Sequence, residues 1–164
     1  MVRLGSEGGG TPRRAPPQRS DARFDRTERE ALAVPGGSRY AEAMRARIIQ
    51  DFRFEAAHRL PKVPEGHKCS RLHGHSYKVE VVVGGTVDPE SGWVCDFAEV
   101  EDAWRGLHDT LDHRYLNEIP GLENPTSEII AAFVWHRLKP AFPGLAKVVV
   151  HETCESRCEY TGED

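Results

Sequence analysis

The chain has 164 residues, 38% of them hydrophobic, with Lys+Arg 22 against Asp+Glu 26 and a net charge of -4. That is room for one ordinary domain. The mildly acidic balance argues against a protein that works by coating nucleic acid or an anionic membrane, so neither partner is expected. No stretch approaches the roughly 20 apolar residues of a membrane span, and no apolar segment of signal-peptide type follows the N-terminus. A cytoplasmic location is expected, with the four Cys reduced and available as metal ligands or nucleophiles.

Residues 1–43 hold six Gly, four Pro, eight Arg and six acids, with Phe24 and Tyr40 as their aromatics. So little apolar surface cannot offset the entropy of ordering, which predicts disorder over residues 1–45 and a folded domain over 46–164. Six acids among the Arg weaken a transit-peptide or nucleic-acid-arm reading, and Met44 offers an alternative start. Phe52, Phe54, Ala56 and His58 then alternate with charged or small residues, as a strand requires. His73, His75, Tyr77, Val79, Val81 and Val83 repeat the pattern, and Gly84-Gly85 and the run Asp88 to Gly92 are turn signals. Asp96 with Glu99 resembles a capping box, ahead of a helix with Val100, Ala103, Trp104, Leu107 and Leu111 on one face. A loop from Asp112 to Pro125 leads to a second helix through Ile130, Phe133, Val134 and Leu138, with Pro140 near its end. Lys147 to Thr153 reads as a Val-rich strand, and Cys158 to Tyr160 as one more. Paired strands followed by helices predict an α+β fold: an antiparallel sheet with helices on one face.

The eight His carry the chemistry. His73 and His75 stand at i and i+2 of a strand and so face the same way. His58 ends the preceding strand, and an antiparallel hairpin would bring it beside them. Three imidazoles without an obligatory fourth ligand have the form of a catalytic zinc site, whereas structural zinc sites are closed by four. Cys69, four residues before His73, is either a fourth ligand or a base beside the metal, and Lys68 and Arg71 favour its thiolate. Asp112 next to His113 can orient an imidazole for proton shuttling. Glu152, in a Val-rich run, is a candidate buried carboxylate that needs a partner. Arg59, Lys62, Lys68, Arg71 and Lys78 gather around the three His, which suits a phosphorylated ligand, with Arg59 and Lys68 as its contacts.

Five segments lie in order: Phe54 to Pro61, Cys69 to His75, Leu111 to Asn117, Pro125 to Glu128, and Glu152-Thr153. Together they resemble the 6-pyruvoyl-tetrahydropterin synthase superfamily over about residues 48–162, and within it the bacterial 6-carboxytetrahydropterin synthases of queuosine (7-deazaguanine) biosynthesis. The spacing of Cys69 to His73 matches that bacterial branch. The resemblance implies a tunnelling fold, a four-stranded antiparallel sheet with two helices, assembled as a homotrimer or homohexamer. It implies Zn2+ held by His58, His73 and His75. Cys69, Asp112 and His113 would then transfer protons, Glu152 would anchor the pterin's amino-pyrimidine edge, and Thr126 and Ser127 would touch the pterin. The implied substrate is a dihydropterin triphosphate, and the implied reaction releases acetaldehyde and triphosphate. Triphosphate elimination without carbon–carbon cleavage and a non-catalytic zinc module are the alternatives.

Overall fold

A computed structural model describes residues 44–163, so the disorder expected for the start of the chain falls, up to Ala43, outside the described residues. Strand β1 (Arg45–His58) and strand β2 (His73–Thr86) form a long antiparallel hairpin. Helix α1 (Phe97–Leu111) follows, then a two-residue strand β3 (Arg114–Tyr115). Helix α2 (Ser127–Leu138), strand β4 (Leu145–His151) and strand β5 (Arg157–Tyr160) complete the element order. The sheet order is β3-β1-β2-β4-β5.

The α+β architecture follows the period-2 pattern, with one difference. Among the described residues the sheet has five strands rather than four, and β3 runs parallel to β1, pairing Ala56 with Arg114 and Ala57 with Tyr115. A strand of two residues leaves no alternation to read, so nothing in the sequence announces it.

One sheet face is apolar: Phe54, Ala56, Tyr77, Val79, Val81, Val148 and Val150 are buried. Both helices cover it. Helix α1 buries Val100, Trp104, Leu107 and Leu111, and α2 buries Ile130, Ala131, Phe133, Val134, Trp135 and Leu138. Each such side chain contributes about 1.5–3 kcal/mol by leaving water. Phe52 stacks on Trp104 at 4.5 Å and Phe54 on Tyr77 at 4.7 Å, tying β1 to α1 and to β2. Asp96 caps α1 as expected, accepting from Ala98 N at 2.9 Å. The other sheet face mixes Ile49, Val82 and Val149 with charged groups, Lys78 lying 3.0 Å from Asp51 and 2.9 Å from Glu80, which also meets His151 at 2.9 Å.

Candidate metal centre and its two pockets

The hairpin register sets His58 opposite His73 and Ala56 opposite His75, so three imidazoles meet at one end of the sheet. The ring centroids lie 4.5 Å (His58–His73), 5.1 Å (His58–His75) and 5.0 Å (His73–His75) apart. Glu152 joins them. One ligand atom from each of these four residues lies within 4.8 Å of the others.

The hydrogen bonds decide which nitrogens face inward. His58 Nδ1 lies 2.9 Å from the Pro125 carbonyl, and His73 Nδ1 lies 2.8 Å from the Arg71 carbonyl. A carbonyl only accepts, so both Nδ1 atoms carry the proton and both Nε2 atoms present lone pairs. Those two Nε2 atoms sit 3.1 Å apart, with no proton between them in the neutral pair. His75 Nε2 is buried without a hydrogen-bond partner, although Glu152 Oε1 stands 3.1 Å away. Lone pairs that face one another and an orphaned buried nitrogen are what a cation would satisfy, so these residues fit a metal ion. Burial is the main cause that holds His58 and His75 below the ordinary imidazole range, which keeps them in the neutral, ligating form. Burial, followed by the Glu152 charge, pushes the Tyr77 phenol far up, so Tyr77 stays protonated.

Glu152 differs from its expected placement. It follows β4 rather than lying on it, and its side chain is partly exposed, at 24%. The strand stops because Glu152 N and Thr153 N both turn to the Ser156 carbonyl, at 3.2 and 3.4 Å. The turn swings the carboxylate toward the imidazoles. Its other oxygen accepts from Ser127 Oγ at 2.7 Å, while Thr126 caps α2 by accepting from Ile129 N.

Two pockets flank the centre. One, of about 670 Å3, is lined by Lys68, Cys69, Arg71, His73, His75 and Glu152, among others. Cys69 therefore opens beside the imidazoles but is not one of the converging donors. It sits on a single helical turn, Lys68–Ser70, capped by His67 Nδ1, which accepts from Cys69 N at 3.2 Å. That explains His67, which has no readable partner in sequence. Lys68 and Arg71 bring positive charge to this pocket, whereas Arg59 is exposed, its backbone bound to Asn117.

The second pocket, of about 520 Å3, shares His75 and is lined by Glu55, Gly74, Ser76, His113 and Arg114, among others. Here α1 ends in a hook. Asp112 Oδ1 accepts from Glu55 N at 2.9 Å, and Oδ2 lies 2.7 Å from His113 Nδ1. His113 N in turn donates to Glu55 O at 2.6 Å, with His113 at φ 54, the left-handed region. The Glu55 N–H bond, and then the His113 bond, hold the Asp112 carboxyl below its ordinary range. His108, unassigned from sequence, places Nε2 3.9 Å from the same carboxylate.

An α+β sheet with three imidazoles and a carboxylate converging at one end, beside a thiol and an Asp–His pair, defines a metal-type enzyme centre. The family described as 6-pyruvoyl tetrahydropterin synthase matches residues 47–163. The chain belongs to that family, and it is an enzyme of the pterin-synthase type. It is 47% identical over 119 residues to the 6-carboxy-5,6,7,8-tetrahydropterin synthase of Synechocystis sp., a match covering 69% of this chain and 91% of that protein. It is 40% identical over 105 residues to the dihydroneopterin monophosphate aldolase of Pyrococcus furiosus, covering 64% of this chain and 85% of that one. The structure of Caenorhabditis elegans 6-pyruvoyl tetrahydropterin synthase superposes with a TM-score of 0.69 at 31% identity, covering 74% of this chain and 98% of that chain. Among the described residues no helix is long and apolar enough to cross a membrane.

Proposed function

We propose that the protein is a zinc-dependent, cytoplasmic lyase that converts 7,8-dihydroneopterin triphosphate and one water to 6-carboxy-5,6,7,8-tetrahydropterin, acetaldehyde and triphosphate, for queuosine biosynthesis. The observation that carries this reading is the convergence of the His58, His73 and His75 imidazoles beside the Cys69 pocket, with the Glu152 carboxylate lining that pocket. When bound, Zn2+ supplies Lewis acidity toward a substrate oxygen. Cys69 takes a proton from the side-chain carbon next to the pterin ring. Asp112 orients His113, which moves protons during triphosphate elimination and carbon–carbon cleavage. Glu152 accepts N–H bonds from the amino-pyrimidine edge, with Ser127 fixing one of its oxygens and Thr126 close by. Lys68 and Arg59 meet the phosphates.

The relative from Pyrococcus furiosus favours one further reading, an aldolase acting on a monophosphate ester. The two readings share the carbon–carbon step and differ in the phosphate. Incubating zinc-loaded protein with dihydroneopterin triphosphate and, separately, with dihydroneopterin monophosphate, and identifying the products by mass, separates them. 6-Carboxytetrahydropterin with acetaldehyde supports the proposal. A pyruvoyl product without acetaldehyde overturns it, turnover of the monophosphate alone supports the aldolase reading, and turnover of neither points to a zinc-stabilised module. We also propose that residues 46–164 are the catalytic domain, working as a homotrimer or homohexamer. A chain starting at Met44 is then expected to keep the thermal midpoint and activity of the full chain.

A further inference from the structure

One side chain ties the loop between β3 and α2 to the residue that follows His58. Asn117 Oδ1 accepts from Arg59 N at 2.9 Å, and Asn117 Nδ2 donates to Arg59 O at 2.9 Å and to Glu123 O at 3.1 Å. One N–H donor and two carbonyl acceptors leave no choice of amide orientation, so a flipped Asn117 would lose all three bonds. Glu123 stands two residues before Pro125, whose carbonyl meets His58 Nδ1 at 2.9 Å. A ring of contacts closes: His58 to Arg59 by the backbone, Arg59 to Asn117, Asn117 to Glu123, and Pro125 back to the His58 imidazole. Asn124 braces it, accepting from Lys62 N through Oδ1 at 3.4 Å and from Thr126 N through its carbonyl at 2.8 Å.

The Pro125 carbonyl matters because His58 Nδ1 has a second neighbour, the Tyr77 hydroxyl at 3.2 Å. A hydroxyl can donate as well as accept. Tyr77 alone would permit either tautomer, including the one with the proton on Nε2, which leaves no lone pair on the nitrogen that faces the centre. The carbonyl only accepts and so selects the tautomer with Nδ1–H.

We propose that Asn117 is a positioning residue for the metal centre: it holds the Pro125 carbonyl against His58 Nδ1 and thereby fixes the tautomer and aim of the His58 ring. The proposal rests on the metal reading above. Ligand-orienting partners of this kind typically change metal affinity about 10–100-fold.

The test compares full-length wild type, Asn117→Ala, and Val81→Ala, a fully buried core position far from the clamp that lowers stability by packing alone. Three quantities are read: zinc affinity by titration of metal-free protein, the thermal midpoint, and the His58 tautomer from imidazole 15N shifts of metal-free protein at mildly alkaline pH. Asn117→Ala is expected to weaken zinc about 10–100-fold and to give a mixed His58 tautomer. Val81→Ala is expected to lower the midpoint and leave the other two unchanged. The proposal is overturned if Asn117→Ala keeps both wild-type affinity and a single tautomer, or if affinity simply follows the midpoint in both variants. Should wild type bind no zinc, the metal reading fails. The tautomer signal then still decides the clamp, its loss in Asn117→Ala supporting it and its retention overturning it. If Asn117→Ala does not fold, Asn117→Asp is read the same way, since it keeps the acceptor for Arg59 N and loses both donors.

Discussion

The metal centre and the Asp112–His113 hook share a wall at His75, yet they are built by opposite means. In the centre, side-chain direction comes from strand periodicity, and the His58 and His73 protons are each spent on a fixed carbonyl. His58 is fully buried. The hook instead hangs on backbone bonds to Glu55 and on a non-glycine residue at φ 54, and its His113 side chain is 78% exposed. Rigid burial suits a ligand set, whose geometry must not relax when the ion binds. An exposed imidazole on a held carboxylate suits a group that exchanges protons with substrate and solvent. The lesson is that preorganisation in this site comes from tautomer locking on one side and from backbone geometry on the other.

The largest expected effect lies in the centre. His73→Ala removes one of two facing Nε2 lone pairs, so zinc measured by metal analysis should be lost and product formation abolished. Full zinc occupancy in this variant would break the comparison at its root, because the buried half would then not be a ligand set. Cys69→Ala comes next. The thiol lines the pocket without joining the donors, so zinc and fold should persist while turnover falls by roughly 10²-fold or more. Loss of zinc with retained turnover would move Cys69 from base to ligand.

Asp112→Asn should also lower turnover, because the imidazole stays while its orienting charge goes. Zinc content should not change. The pH dependence sharpens the point. Asp112 is held below its ordinary range in the folded chain, so its contribution to stability is present above the unfolded carboxyl pKa and is lost as pH falls through the lowered one. Asp112→Asn should flatten that acid-side loss in a thermal-midpoint series. An unchanged series would mean that the carboxylate holds His113 without holding the fold.

The two regions also differ in how far the sequence discloses them. The i, i+2 placement of His73 and His75, and the ending of β1 at His58, can be read because a strand's period is two and a hairpin brings its ends together. The apolar faces of both helices are equally legible, from Val100 to Leu111 and from Ile130 to Leu138. The hook is not. Its geometry depends on Glu55, 57 residues earlier than Asp112, and on a left-handed residue where no glycine marks the turn. Glu152 stands between these cases. Its Val-rich neighbourhood suggests a buried carboxylate on a strand and only the family resemblance puts it at the site, while its position past the strand end depends on where Ser156 O turns the chain. The Asn117 clamp is likewise invisible, because a loop asparagine gives no hint of which backbone groups it will bridge.

The smallest effect is the most specific to the hook. His113→Gly and His113→Ala both delete the imidazole and its bond to Asp112, so the difference between them reports only the backbone. In the left-handed region a Cβ costs roughly 1–2 kcal/mol, and glycine avoids that cost. Glycine also has more conformational freedom to lose on folding, which takes back roughly 0.5–1 kcal/mol. His113→Gly should therefore be the more stable of the two by roughly 0.75 kcal/mol, the difference between the midpoints of those ranges, or a few degrees in thermal midpoint. Both variants should be equally impaired in turnover, since neither retains a proton carrier at this position. A His113→Ala variant as stable as His113→Gly would show that the backbone bonds to Glu55 hold the turn without strain, and the hook's half of the contrast, preorganisation by a left-handed backbone, would not stand.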